Sequence, residues 1–183
     1  MSSKQILRKR FFLVRKKRYF EISDKFFLPL VKILKLKFKK QFLKIAFYYP
    51  SNFELNVLRF LENPYMKNRN ILLPKIEENN QMNFFPWKNH ETLIINKYGI
   101  LEPVKSKPTI PNVILVPILA FDRNKYRLGY GKGFYDRYLS KYLKKFKNIL
   151  TVGVAFSFQK YHKLPSDEND VKLNFILTEK GIN

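Results

Sequence analysis

The residues with the clearest chemical potential form a short glycine-rich run at 127–133, which reads RLGYGKG. Its three glycines are Gly129, Gly131 and Gly133. Because glycine adds no side-chain bulk, the backbone N–H groups of such a run can turn toward an anion. Lys132 and Arg127 add positive charge, and a predicted helix begins directly after the run, where its N-terminus would favour the same anion. The pattern predicts a phosphate-binding loop, although a tight turn alone also accounts for the glycines.

Two carboxylates are candidate ligands for a divalent cation beside this loop. Asp136 falls in the first turn of the predicted helix, where a carboxylate also simply favours the helix N-terminus. Asp170 ends the acidic run at 167–170, which by itself is typical of a solvated turn. The chain has only 14 acidic residues, so there are few alternatives. We therefore predict Asp136 and Asp170 as the ligands of Mg²⁺.

Three further charged residues could complete a site. Lys4 and Arg8 are four residues apart and share one face of a predicted helix, where they could clamp a triphosphate or remain solvated cations. Glu54 follows a predicted strand, and it could bind a nitrogen-bearing ligand or complement the dipole of a helix start. His90 and His162 lack metal-ligand spacing and are assigned no role.

Alternating strands and helices must position these residues. Strands are predicted at 42–49, 70–76, 82–85, 113–116, 151–156 and 175–177. Helices are predicted at 4–20, after Ser23, at 53–61 behind an Asn52 cap, and at 133–146, while 93–103 is predicted to be irregular. The apolar stripe of the first helix is predicted at Ile6, Leu7, Phe11 and Val14.

This alternation predicts an α/β fold: a single three-layer domain over residues 1–183, with a mostly parallel central sheet and helices on both faces. In such sheets, ligands bind outside the carboxyl ends of the strands, and the loop at 121–133 lies at such an end. The glycine-rich run should therefore open onto that edge of the sheet.

Composition excludes several classes of protein. The 183 residues are 45% hydrophobic and 16% aromatic, which indicates a folded chain. The absence of cysteine excludes disulfides and thiolate metal sites. No apolar run approaches the roughly 20 residues that a spanning helix needs, and no secretory segment is evident. We expect a cytoplasmic protein without a membrane partner.

The net charge of +22 is extreme, and residues 1–50 hold 15 Lys and Arg against Glu21 and Asp24. One interpretation is a surface for nucleic acid or an anionic membrane. The other is compositional drift, because residues that AT-rich codons favour are abundant throughout. We favour drift, and expect any binding of nucleic acid to be nonspecific and strongest at low salt.

The central segment closely resembles the signature of the 5-formyltetrahydrofolate cyclo-ligase family. The match consists of AFD at 120–122 and YRLGYGKGFYD at 126–136. Weaker matches keep the family's order: KQILR at 4–8, ELN at 54–56, LPK at 73–75, GILEP at 99–103 and ENDVK at 168–172. The chain departs from the family where Tyr49 replaces a frequent Leu and Asn174 a frequent Asp.

The resemblance implies a fold, a reaction and a set of site residues. The fold would be related to the sugar-phosphate isomerase and CoA-transferase group. The reaction would convert 5-formyltetrahydrofolate and ATP to 5,10-methenyltetrahydrofolate, ADP and phosphate, with Mg²⁺. The ATP site would comprise Lys4, Arg8, Arg127, Gly129, Gly131, Lys132, Gly133 and Tyr135, with Lys132 and Arg127 also catalytic. The folate site would comprise Tyr49, Glu54, Tyr130 and Phe134, and Mg²⁺ would bind Asp136 and Asp170.

Two other functions remain open from the sequence. The basic N-terminal segment is compatible with a nucleic-acid-binding module, and the same fold and ATP site could serve a different acceptor. We expect the protein to act on a small folate substrate as a monomer.

Overall fold

The computed structural model describes residues 2–39, 42–104 and 107–183. Its α-helices are α1 (Ser3–Arg18), α2 (Leu28–Lys37) and α3 (Phe134–Lys145). Its strands are β1 (Lys44–Ala46), β2 (Asn70–Ile76), β3 (Met82–Trp87), β4 (Leu93–Ile95), β5 (Leu101–Pro103), β6 (Val113–Pro117), β7 (Ala120–Phe121), β8 (Arg127–Leu128), β9 (Leu150–Val154), β10 (Phe175–Thr178) and β11 (Gly181–Ile182). Short 3₁₀ helices lie at Asp24–Phe27, Val57–Glu62, Pro64–Met66 and Ser157–Gln159.

Seven strands form the central sheet in the order β11-β10-β9-β6-β1-β2-β3. The inner pairs from β10 to β2 are parallel, whereas both edge strands, β3 and β11, are antiparallel to their neighbours. Crossovers between the parallel strands bring their carboxyl ends to one edge of the sheet. Two small antiparallel pairs, β4-β5 and β7-β8, stand apart from this sheet.

The sheet is covered on both faces because its inner strands are apolar throughout. In β6, Val113 and Leu115 point into one core with α2 and the 3₁₀ helices, while Ile114 and Val116 point into a second core beneath α3. Continuous burial of this kind is typical of parallel strands that pack between two layers of helices. The predicted α/β class, with its mostly parallel sheet and helices on both faces, is thus confirmed.

Several local predictions were wrong. Residues 93–103 form the β4-β5 hairpin around Gly99, which has a φ of 73°. The predicted helix at 53–61 is replaced by a turn followed by the 3₁₀ helix Val57–Glu62, which Asn56 caps. Among the described residues, no helix is long and apolar enough to cross a membrane.

Asn174 supports β9 where it departs from the family's frequent Asp. Its Oδ1 accepts hydrogen bonds from the backbone N–H and the hydroxyl of Thr151, at 2.8 and 2.9 Å, and its own N–H donates to that hydroxyl at 3.0 Å. A carboxylate would accept the same two bonds, so the substitution leaves this support of the sheet in place.

Candidate functional site

Two loops meet at the carboxyl edge of the sheet because β1 and β6 are adjacent and parallel. Residues 47–56 follow β1. After β6 the chain forms the β7-β8 hairpin. Strand β8 begins residues 127–133, called here the glycine loop, which lead directly into α3. Asp122 closes the hairpin turn by accepting hydrogen bonds from the backbone N–H groups of Asn124 and Tyr126, at 2.9 and 3.1 Å. This turn reverses the direction of the chain, so the glycine loop runs back over the carboxyl edge of the sheet.

Helix α1 packs against the same hairpin. Leu7 and Phe11 lie in a small core with Ala120, Leu128 and Leu164. Ile6, which the predicted stripe included, is instead 55% exposed. The inward face carries cations as well as apolar groups, and Arg8 Nε donates to the carbonyl of Gly129 at 2.9 Å. The start of the chain is thereby fixed to the glycine loop.

Gly131 is required in the glycine loop for two reasons. Its φ of 96° is a conformation that side chains disfavour. A Cβ there would also lie 3.0 Å from Arg8 Cζ. The close approach of Arg8 to the loop therefore depends on a residue without a side chain at this position.

Replacing Gly131→Ala should lower the free energy of unfolding by about 1–2 kcal/mol, because alanine pays the left-handed penalty and displaces Arg8. Gly129→Ala is the matched control, since Gly129 has no positive φ and a Cβ there meets nothing within 4 Å. Chemical denaturation of both variants measures the difference, and equal stabilities would contradict the argument.

Arg127 and Asp136 form an ion pair at the start of α3. Arg127 Nη2 lies 2.7 Å from Asp136 Oδ1, and Arg127 Nη1 donates to the carbonyl of Val171 at 3.1 Å. The backbone N–H of Val171 also contacts Asp136 Oδ1, at 3.4 Å. These contacts bring Asp136 against the segment that contains Asp170, as the prediction of a shared cation site requires.

Lys4 closes the other side of that segment. Its Nζ lies 2.6 Å from carboxylate oxygens of both Asp167 and Asp170. Partial burial disfavours the ammonium, but the two hydrogen bonds outweigh it and raise the pKa of Lys4. Each predicted metal ligand is therefore neutralised by a predicted phosphate-binding cation. Among the described residues, no cluster of three or more His, Asp or Glu side chains could hold a metal ion.

The side chain of Lys132 lies over an aromatic ring that the sequence prediction missed. Its Nζ is 5.2 Å from the ring centroid of Tyr98, at the turn of the β4-β5 hairpin, and that ring lies 5.9 Å from Phe134. Among described residues, Lys132 has no ion pair. Nearby, the hydroxyl of Tyr135 is buried and has no hydrogen-bond partner among them. The ammonium group of Lys132 is therefore available to a ligand.

Glu54 lines a surface cavity. Its Oε2 accepts a hydrogen bond from the backbone N–H of Ser51 at 2.9 Å, and the residue is only 6% exposed. Burial raises the pKa of the Glu54 carboxyl, against the opposing effects of Ser51 and Arg15. The cavity above measures about 390 Å³ and is lined by Tyr19, Tyr49, Pro50, Ser51, Asn52, Phe53, Glu54, Asn56 and Leu58.

The backbone of this cavity explains why the predicted helix is absent. Asn52 and Phe53 have φ values of 49° and 62°, so the chain turns through the left-handed region where a helix was predicted to begin. The backbone N–H of Glu54 bonds to the carbonyl of Ser51 at 2.8 Å, which closes the turn. Glu54 therefore points into a turn instead of complementing a helix dipole.

Arg15 is a residue of this site that the sequence analysis missed. It is only 1% exposed, and its guanidinium donates to the carbonyls of Ile118 and Asn52, at 3.1 and 2.7 Å. It also donates to the hydroxyl of Tyr130. The only sequence signal was its helical spacing from Lys4, Arg8 and Phe11, which places all four on one face of α1.

The structure thus brings the predicted residues together in two groups. The first group comprises Arg127 of the glycine loop together with Lys4, Arg8, Asp136 and Asp170. The second group comprises Glu54 and Tyr49 in the neighbouring cavity. Tyr130 links the two groups, because its hydroxyl accepts a hydrogen bond from Arg15, whose guanidinium also donates to the carbonyl of Asn52 in the turn that carries Glu54. This geometry defines an α/β protein in which a glycine loop that carries cations lies beside a small cavity lined in part by the carboxylate of Glu54.

Known proteins resemble this chain in fold and in sequence. Residues 1–179 match the model of the 5-formyltetrahydrofolate cyclo-ligase family, to which the chain therefore belongs. The 5-formyltetrahydrofolate cyclo-ligase of Haemophilus influenzae is 30% identical over 76% of this chain and 77% of its own length. A probable 5-formyltetrahydrofolate cyclo-ligase of Schizosaccharomyces pombe is 33% identical over 64% of this chain, which spans 65% of that relative. The NMR structure of Aquifex aeolicus 5,10-methenyltetrahydrofolate synthetase superposes with a TM-score of 0.75 and 34% identity, covering 99% of this chain and 92% of that one.

Proposed function

We propose that this protein cyclises 5-formyltetrahydrofolate to 5,10-methenyltetrahydrofolate, with ATP converted to ADP and phosphate in the presence of Mg²⁺. Family membership supports the folate reaction. The observation that carries the nucleotide part is the position of the glycine loop, which contacts Arg8 on one side and reaches Arg15, beside Glu54, on the other. A phosphate held by this loop would lie next to a ligand held above Glu54.

The reaction needs a leaving group, because a formamide oxygen does not depart unaided. In the proposed sequence, the formyl oxygen attacks the γ-phosphorus of ATP as the bond to ADP breaks, which gives an iminium phosphate. N10 of the folate then attacks the formyl carbon and loses its proton. The carbon–oxygen bond breaks last and releases phosphate. Such phosphoryl transfer depends mainly on positioning and charge neutralisation, so no side-chain nucleophile is required.

The roles of the residues follow from this sequence. Lys4, Arg8, Arg127 and Lys132 would neutralise the phosphates, the amides of Gly129, Gly131 and Gly133 would bind their oxygens, and Tyr135 would contribute its unpaired hydroxyl. Glu54 would accept hydrogen bonds from pterin nitrogens, with Tyr49, Tyr130 and Phe134 against the rings.

Asp136 and Asp170 would bind Mg²⁺ together with the phosphates of the substrate. Mg²⁺ is usually held by one or two carboxylates together with substrate phosphates and water, so a closed protein cage is not needed. Bound there, the ion would neutralise charge on the β- and γ-phosphates. The cations now paired with these carboxylates, Arg127 and Lys4, would then be free to contact phosphate oxygens.

The direct test is the appearance of the methenyl chromophore when purified protein is mixed with 5-formyltetrahydrofolate, ATP and Mg²⁺. We expect turnover that requires all three. Correctly folded protein without turnover would contradict the proposed reaction. Turnover with another small amide in place of the folate would instead favour an enzyme of the same fold with a different acceptor.

Glu54→Gln should weaken folate binding and flatten its pH dependence. Since burial raises the pKa of Glu54 above its ordinary value of 4.5, the carboxyl takes up a proton as the pH falls through that raised pKa. It then accepts hydrogen bonds less well, so wild-type affinity should fall toward acid pH.

Folate affinity of both proteins between pH 5 and 8 gives the measurement, and Glu62→Gln provides the control. Glu62 is an exposed carboxylate that is paired with Arg59 and does not line the cavity. An unchanged affinity and pH profile in Glu54→Gln would remove Glu54 from the folate site.

A further inference from the structure

We propose that Arg15 is a positioning residue that couples the glycine loop to the turn carrying Glu54. Its guanidinium would thereby fix the proposed ATP and folate sites relative to each other. This inference rests on the proposed function, since it assigns those two loops to two substrates. Arg15 itself would contact neither substrate. Its role follows from which groups it holds and from how completely it is buried.

The contacts of Arg15 reach three separate segments. Its Nη2 donates both to the carbonyl of Asn52 in the turn after β1, at 2.7 Å, and to the hydroxyl of Tyr130 in the glycine loop. Its Nη1 donates to the carbonyl of Ile118, just beyond β6, at 3.1 Å. The same guanidinium lies 5.5 Å from the ring centroid of Tyr130. The planar guanidinium of Arg15 therefore connects both loops to the residue that follows β6.

A role confined to packing does not account for this arrangement. Burying a charge is unfavourable unless it is paired, and a buried apolar side chain of similar size would fill the space at lower cost. Among the described residues, Arg15 has no carboxylate within 4 Å, and its Nε is buried without a hydrogen-bond partner. The buried guanidinium instead holds two loops, and its charge opposes the rise that burial causes in the pKa of Glu54.

Both groups that Arg15 holds need an external support. Asn52 and the following Phe53 lie in the left-handed region. Asparagine tolerates this conformation, but for Phe53 it costs of order 1–3 kcal/mol unless the surroundings enforce it. Tyr130 lies on the glycine loop between Gly129 and Gly131, which do little to restrict the backbone. Loss of the guanidinium should therefore loosen both loops together, while α1 keeps its apolar anchors, Leu7 and Phe11.

The test uses Arg15→Lys, Tyr130→Phe and their combination, with Arg18→Lys as the matched control. Lysine keeps the charge but lacks the fork that reaches three acceptors. Arg18 is three residues further along α1, is exposed, and lies over the ring of Phe158. We expect Arg15→Lys to raise the KM for 5-formyltetrahydrofolate at least fivefold and to lower kcat, whereas Arg18→Lys behaves as the wild type.

The combined variant measures the coupling. If Arg15 acts through Tyr130, adding Tyr130→Phe to Arg15→Lys should change the KM for folate less than Tyr130→Phe does alone. Additive effects of the two substitutions would overturn the proposal, as would wild-type kinetics in folded Arg15→Lys.

Hydrogen exchange gives a readout that does not depend on turnover. In Arg15→Lys, the hydrogen-bonded amides of Ser51 and Glu54 in the turn after β1 should exchange faster, with no change through residues 5–12 of α1. Should Arg15→Lys fail to fold, Tyr130→Phe alone should accelerate exchange at 51–54, and no change there would overturn the inference. A wild-type protein without turnover would contradict the proposed function, while the exchange data would still decide the role of Arg15.

Discussion

Replacing Lys132→Ala should lower turnover of 5-formyltetrahydrofolate at least about tenfold, which corresponds to roughly 1.4 kcal/mol in the activation barrier. The side chain extends from the glycine loop and, among the described residues, has no carboxylate partner. Its positive charge is therefore available to a transferring phosphoryl group, where charge neutralisation has its largest effect. Because no ion pair is broken, the free energy of unfolding should change little.

The chain offers a closely matched control in Lys97→Ala. The ammonium groups of Lys97 and Lys132 lie over the same Tyr98 ring, at 5.4 and 5.2 Å from its centroid. Only Lys132 belongs to the glycine loop, so only its removal should affect the KM for ATP and kcat. Equal loss of activity in the two variants would mean that the charge above Tyr98, and not the loop lysine, matters. Wild-type turnover in Lys132→Ala would remove it from the site.

The glycine loop was predictable because its chemistry is local. Glycines at alternate positions, a lysine between them and a helix start are contiguous in sequence, and the structure keeps them contiguous. The same holds for β6, whose apolar run reads as a buried strand, and for α3, whose buried Tyr138 and Leu139 follow a helical pattern.

The turn that carries Glu54 at the cavity was not predictable in the same way. Asn52 is a common N-cap residue, so local preference favours a helix there. The left-handed turn forms instead where the carbonyl of Asn52 is held by Arg15, 37 residues earlier in the chain. Single-residue preferences contain no information about such a contact.

Tyr98 and Arg15 were missed for a related reason. Both become part of the site only because the β4-β5 hairpin and α1 fold onto the carboxyl edge. The excess of basic residues also concealed Arg15, since one buried arginine looks the same in sequence as its exposed neighbours Lys16, Lys17 and Arg18. Burial, which the sequence does not state, is what distinguishes it.

The second large effect on turnover is expected at Asp136, the carboxylate that is paired with Arg127. Asp136→Asn should lower turnover at least tenfold, because an amide does not supply the negative charge that Mg²⁺ requires. It also leaves Arg127, whose side chain is only 4% exposed, without its ion-pair partner, so the free energy of unfolding should fall as well. Asp167→Asn is the control, since Asp167 shares Lys4 with Asp170 but is exposed and has no proposed metal role.

A titration of turnover against Mg²⁺ separates the two roles of Asp136. If the carboxylate binds the ion, the Mg²⁺ concentration for half-maximal activity should rise in Asp136→Asn, and high Mg²⁺ should restore part of the rate. If it only orients Arg127, the KM for ATP should rise with an unchanged Mg²⁺ midpoint. Asp167→Asn should resemble the wild type in both measurements, and an Asp136→Asn variant that also does so would place this carboxylate outside the site. Arg127 and Asp136 neutralise each other without ligand. Mg²⁺ would replace Arg127 as the partner of Asp136, and a phosphate of ATP would replace Asp136 as the partner of Arg127. We therefore expect ATP and Mg²⁺ to bind more tightly together than separately.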